Sequence, residues 1–149
     1  YSGILSPSPV FNSLEVTKIY SVTGNLNTGE GLINKPPFRN PHHTSTTAAL
    51  IGGGNNLMPG EISLAHNGVL FLDEVLEFKK NVLEVLRQPL EEKKIILNRA
   101  AGRVSFPCNF MTIMATNPCP CGNFASGKPC TCTAHGQDRS VHFCKLSEF

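Results

Sequence analysis

Apolar positions along the chain follow two rhythms. Val69-Leu70-Phe71-Leu72 is an unbroken apolar run inside GVLFLDE, and it predicts a buried strand over 68–73. From Glu77 the apolar positions are Phe78, Val82, Val85, Leu86 and Leu90, the spacing of a helix with one buried face. Pro89 is expected to end or kink that helix, because the residue before a proline resists helical geometry. IILNRAAGRVSF, 95–106, predicts two short strands around Ala100-Ala101-Gly102. FMTIMAT, 110–116, predicts another apolar strand, closed by Asn117-Pro118. Elsewhere the pattern is weaker. Residues 1–12 are rich in Ser and Pro and predict poor order, and SLEVTKIYSV, 13–22, predicts a short helix. Residues 23–41 hold the Gly, Asn and Pro of turns. A helix is expected over 42–50, capped by Thr44 or Ser45, followed by a loop over IGGGNNLMPGE, 51–61. Strand, helix, hairpin, strand is an α/β order, with the strands parallel in one sheet.

Composition narrows the class. A chain of 149 residues suits one domain that buries roughly two-thirds of its unfolded surface. At 40% hydrophobic and 16% charged residues it is not a disordered composition. A net charge of +2 is too small to argue by itself for nucleic acid or a membrane surface. No apolar run approaches the roughly 18 residues of a membrane span, and no basic segment leads into an apolar one as in a signal peptide. The chain opens on Tyr1 rather than Met, which suggests a piece of a longer protein. Four of the six cysteines lie in two C-x-C pairs, which favours a metal site in a reducing, cytoplasmic compartment.

The apolar run ends on two carboxylates, Asp73 and Glu74. In an open α/β sheet, ligands sit at the carboxyl ends of strands, and Asn117 would lie at a second such end. Mg²⁺ prefers a carboxylate, water and phosphate oxygens, and a neighbouring acid can orient and deprotonate an attacking water. An Asn near a γ-phosphate suits phosphoryl transfer, which needs mostly positioning and charge stabilisation. The bland alternative is that the two acids begin a helix, where they favour the positive end of the dipole. A nucleotide site also needs a phosphate-cradling loop. GNFASGKP, Gly122 to Pro129, is the nearest match, but Pro129 stands where a hydroxyl residue should bind the metal. GNLNTGE, Gly24 to Glu30, has the glycines and no lysine. The residues therefore supply the acidic half of such a site without the basic half.

The segments FRNPHHTSTTAALIGGG, PGEISLAHNGVLFLDE, LRQPLEEKKIILNRAAG, FPCNFM and NPCPCG resemble the magnesium-chelatase-like AAA+ ATPases of bacteria, more narrowly the ComM/YifB type linked to natural competence. The resemblance runs from about Ile19 to Ser147. It implies a partial AAA+ (P-loop NTPase) core spanning 1–149, with a parallel sheet, a helix-2 insert around 38–62, a hairpin at 95–106 before sensor 1, and a Cys-rich loop at 119–132. It implies that Asp73 helps hold Mg²⁺, that Glu74 activates water, and that Asn117 is the first sensor. The family's Walker A loop is expected upstream of Tyr1, and its second-sensor arginine beyond Phe149, so this piece alone is expected to be inactive. Leu76 stands where the family has Pro, and Glu148-Phe149 departs from its G-P-L-L-D-R continuation. The family's larger proteins are thought to form hexameric rings that act on branched DNA. The implied cofactors are ATP and Mg²⁺, the implied partners a homo-oligomer and DNA.

Cys119, Cys121, Cys130 and Cys132 could complete a tetrahedral, structural Zn²⁺ site, although C-x-C is tighter than the usual spacing. Free thiols or disulfides remain the alternatives, and His135, His142 and Cys144 are substitute ligands. Cys108 is expected to pack as a small hydrophobe. His42 and His43 are candidates to touch DNA or a partner, or form a surface pair; His66 is expected to be structural. Arg99 and Arg103 could meet phosphates or simply face solvent. Gly52, Gly53 and Gly54 are expected to form a flexible loop. Three functions stay in play: an ATP-driven motor on DNA, a chelatase that inserts Mg²⁺ into a porphyrin, and a zinc-stabilised binding module without nucleotide chemistry.

Overall fold

The computed structural model describes residues 12–24, 26, 31–54, 56–99, 102–117 and 129. Helix α1 (Ser13–Val22) lies where expected. The Asn12 side chain caps it by accepting the Glu15 N–H, and Val16 and Ile19 are its buried face. Tyr20 ties it inward by donating its hydroxyl to the Leu64 carbonyl over 3.1 Å.

Strand β1 (Phe38–Arg39) falls inside the stretch expected to be turns. Helix α2 (Thr47–Ile51) starts later than the expected 42–50, because Thr46 rather than Thr44 or Ser45 caps it, accepting the Ala49 N–H over 3.2 Å. His42 to Ser45 form a tight turn instead, closed by Ser45 N–H donating to His42 O over 2.8 Å. The glycine-rich segment is not a simple loop: β2 (Gly52–Gly53) pairs antiparallel with β3 (Met58–Pro59). A short helix α3 (Glu61–Leu64) leads into β4 (Val69–Leu72).

The helix expected from 77 to 90 is divided. A 3-10 turn, Val75–Glu77, precedes α4 (Lys80–Glu84) and α5 (Arg87–Glu92). Pro89 does not end α5 but sits in its first turn, where an N–H has no intrahelical acceptor and its loss costs little. The apolar rhythm still identified the buried face: Phe78, Val82 and Leu86 are all buried. The hairpin forms as expected, β5 (Lys94–Arg99) against β6 (Gly102–Pro107), and β7 (Met111–Met114) follows.

Three strands make a parallel sheet in the order β1-β4-β7, while the hairpin forms a separate antiparallel pair. The α/β class and the parallel sheet are thus as expected, but the strands do not all join one sheet. Side chains alternate across a sheet, so the register sorts its two faces. Leu70 and Leu72 enter the main core with Val75, Phe78, Val82, Leu86, Leu97, Phe106 and Phe110, and Met114 packs against them. The other face carries Phe38, Phe71, Met111 and Ile113. Phe38, Met111 and Ile113 are exposed there, with Phe38 stacked on Phe71 at 6.0 Å.

Candidate functional site

The parallel register decides what meets at the rim of the sheet. Arg39 lies opposite Leu70, and Leu72 opposite Met114. All three strands therefore end at the same side, the side where α/β sheets bind ligands. The chain beyond β1 delivers His43, beyond β4 Asp73 and Glu74, and beyond β7 Thr116 and Asn117. Ladder bonds continue past the strands: Ala115 N–H donates to Leu72 O over 2.8 Å, and Val75 N–H to Ala115 O over 3.0 Å.

Glu74 has left-handed backbone geometry, φ 50 and ψ 46. For a non-glycine residue this costs on the order of 1–2 kcal/mol and has to be sustained by its surroundings. Here the Asp73 carboxylate accepts the Glu74 N–H over 2.9 Å, and Glu74 O accepts from Glu77 N–H over 2.8 Å. Neither carboxylate serves the simple role of helix start. Glu74 makes no side-chain cap, and only a three-residue 3-10 turn follows. Both acids are exposed at the end of an otherwise buried strand.

His43 is the neighbour that the sequence reading did not identify. Its Nδ1 lies 3.3 Å from Glu74 Oε2. His42 stacks on it with ring centroids 4.1 Å apart, and Phe78 meets it edge-on at 6.4 Å. The signal existed in FRNPHH. Extending β1 four residues past Arg39 brings His43 level with Glu74, four past Leu70, but this needs β1 to be recognised as a strand. Asn117 is exposed, and its carbonyl accepts the Thr116 hydroxyl over 3.3 Å.

The remaining polar residues brace the fold. Arg39 grips Glu61 through two bonds of 2.6 and 2.7 Å. That carboxylate raises the Arg39 pKa, against the opposing effect of burial, while burial raises Tyr20. His66 is structural, as expected: it is 4% exposed, and its Nδ1 accepts the Asn109 N–H over 3.0 Å. A backbone N–H can only donate, so the ring proton sits on Nε2 and points to Glu15 Oε2, 3.0 Å away. Cys108 is fully buried, as expected, and burial pushes its thiol up to about 12. Arg99 ends β5, and Arg103, the second residue of β6, is exposed. Gly52 and Gly53 are paired backbone rather than flexible loop.

Cys119, Cys121, Cys130 and Cys132, and with them the expected zinc site and the Cys-rich loop, lie outside the described residues, as do His135, His142 and Cys144. Among the described residues no group of three or more His, Cys, Asp or Glu could hold a metal ion. The rim offers two adjacent carboxylates, a hard oxygen set that suits Mg²⁺ only where water and phosphate oxygens complete its shell. Among the described residues, no helix is long and apolar enough to cross a membrane.

The chain belongs to the family described as magnesium chelatase, subunit ChlI, whose model matches residues 1–148. It is 47% identical over 133 residues to an uncharacterised protein of Mycobacterium tuberculosis, covering 89% of this chain and 26% of that one. It is 47% identical over 118 residues to the competence protein ComM of Haemophilus influenzae, covering 78% and 23%, and 41% identical over 123 residues to YifB of Escherichia coli, covering 83% and 24%. The ComM/YifB likeness expected from the motifs is thus found. The chain spans about a quarter of the length of these relatives. A solved structure of NtrX from Brucella abortus aligns with 68% of this chain and 23% of that one, at 23% identity and a TM-score of 0.45.

Proposed function

We propose that this chain is part of an ATP-hydrolysing AAA+ core. In this reading Asp73 helps hold Mg²⁺, Glu74 orients and deprotonates the attacking water, and Asn117 faces the γ-phosphate. The observation that carries it is the geometry of Asp73-Glu74: two exposed acids at the carboxyl end of a buried parallel strand, the second strained and neither capping a helix. Two carboxylates are too few to cage the ion, which fits Mg²⁺ that arrives on nucleotide phosphates; bound there, it would neutralise charge on the transferring phosphoryl group. The residues that cradle those phosphates would belong to the rest of the longer protein, and the piece alone would be inactive.

In this reading the whole protein would be a cytoplasmic, hexameric motor acting on branched DNA, as the resemblance to the ComM/YifB type implies; one relative is named a competence protein. The family description favours a second reading, an ATPase subunit that drives Mg²⁺ insertion into a porphyrin. We also propose a structural Zn²⁺ on Cys119, Cys121, Cys130 and Cys132; metal analysis of reduced full-length protein should find about one zinc per chain, and none would remove the site.

The deciding experiment is ATP turnover by the full-length protein, with and without branched DNA. Stimulation by DNA supports the motor, and turnover indifferent to DNA favours the chelatase. Glu74→Gln should lower turnover by about 10²–10⁴-fold while ATP still binds. Near-normal turnover in that variant would remove Glu74 from the chemistry; no turnover by the folded full-length protein would leave a binding module as the better reading.

A further inference from the structure

We propose that Val75 is a positioning residue for Glu74: it closes a β-bulge that keeps the Glu74 carboxylate out of the core and in register with Asn117. This rests on the reading of Glu74 as the base. The bulge is visible in the ladder between β4 and β7. In a parallel pair, a residue whose N–H donates to one partner residue accepts, at its carbonyl, the N–H two positions further along that partner. Ala115 N–H donates to Leu72 O over 2.8 Å, so regular pairing would bring the Glu74 N–H to Ala115 O. Ala115 O accepts the Val75 N–H instead, over 3.0 Å, and the Glu74 N–H goes to Asp73 Oδ1 over 2.9 Å. Asp73 and Glu74 thus lie together opposite the single residue Ala115, and Glu74 is the one with left-handed geometry.

The extra residue changes which side chains enter the core. Side chains alternate along a strand, and Leu70 and Leu72 face the main core. Unbroken alternation would send Glu74 in after them, and an ionised carboxylate is not tolerated among apolar side chains. With the bulge, Val75 takes that place. It is fully buried in the same core as Leu72, whereas the Glu74 side chain is 49% exposed. Val75 therefore pins the end of the bulge twice, by its packed side chain and by its N–H. Ala115, which accepts that N–H, stands two residues before Asn117, so the bond also sets the height of Glu74 against the strand that leads to Asn117. Bulges recur beside active sites because they re-aim a side chain in this way. Small displacements of a base placed like this are expensive in rate.

The test uses the full-length protein: steady-state ATP turnover, ATP bound per chain to count competent sites, and thermal melts as a check on folding. Val75→Ala keeps the N–H and shortens the anchor. Replacing Val75 by its α-hydroxy analogue turns the Glu74–Val75 linkage into an ester, which removes the N–H and keeps every side chain. Each should lower kcat per competent site about tenfold with KM for ATP within about twofold, and Val75→Ile, with a branched apolar anchor, should keep most of the rate. In a Glu74→Gln background Val75→Ala should have no further effect, whereas general loosening of the fold would lower that residual turnover too. Should the ester form fail to fold, Val75→Ala in the two backgrounds decides alone. Normal kcat in either form, a loss confined to KM, a Val75→Ile rate no better than that of Val75→Ala, or a further loss in the Glu74→Gln background would each overturn the proposal. Near-normal turnover of Glu74→Gln would be a separate result: it would refute the base itself, and the role of Val75 would fall with it.

Discussion

Gly60 and Gly54 lie six positions apart and are glycines for opposite reasons. Gly60 has φ −97 and ψ −172, a conformation open to any residue. A Cβ there would lie 2.4 Å from both Gly52 N and Leu50 O, backbone atoms that cannot rotate away. Gly54 has φ +78 and open space around it. Gly60→Ala should therefore cost about 2–3 kcal/mol by overpacking, and Gly54→Ala about 1 kcal/mol by left-handed strain alone. Denaturant unfolding of both variants checks this, and equal losses would refute the packing argument. Neither reason was legible in IGGGNNLMPGE, because the close approach joins backbone from α2, β2 and β3. Cys108 gives a pH dependence whose sign is fixed. Its thiol has an ordinary value of 9.0 and is pushed by burial to about 12 in the fold. The folded state thus holds a proton that the unfolded state releases. The stability this contributes is fully present below pH 9.0 and is lost as pH rises towards about 12. The difference in unfolding free energy between the wild-type chain and Cys108→Ala should fall across that window. A difference that stays flat would mean that the thiol titrates normally.

Elements defined by their own apolar pattern were legible, and those defined by distant partners were not. β4, β7, α1 and the β5–β6 hairpin each carry a local run or rhythm, and they form close to where the pattern places them. β1 is two residues, one an exposed Phe and the other a charged Arg, and nothing local marks it as a strand. Its place comes from pairing with β4 and from the Arg39–Glu61 bridge to α3. The site inherited that gap: Asp73, Glu74 and Asn117 were legible as strand ends, whereas His43 was not, since its strand was unseen. The rhythm from Phe78 to Leu90 identified the buried face but not where the break falls, one turn before Pro89, whose missing N–H cannot bond the Val85 carbonyl. The bridge itself can be measured. Both side chains are partly buried, and the contact is bidentate, which lysine cannot reproduce. Arg39→Lys should lower stability by about 1–2 kcal/mol. A double-mutant cycle with Glu61→Gln should give a coupling near 1 kcal/mol. Strict additivity would show that β1 is held by its ladder alone.

At the scale of the whole molecule the sheet is unequal. One face is closed by the core, and the other presents Phe38, Phe71, Met111 and Ile113 around the central strand. Parallel sheets are normally covered on both faces, because backbone and apolar side chains are buried together. The matched part of this chain makes up only 26% and 23% of two relatives, so a protein of their length would have the material to cover this face. Two measurements separate a covered face from a free one. In the 149-residue chain, Met111→Lys and Ile113→Lys replace side chains that are 57% and 43% exposed. There they should change stability by no more than about 0.5 kcal/mol and should reduce self-association in sedimentation. In the full-length protein the same lysines should cost more than about 2 kcal/mol, since each would bury a charge against the covering layer. Equal and small effects in both settings would mean that the face stays open in the longer protein too. The apolar row would then be a surface for another molecule rather than half of a core.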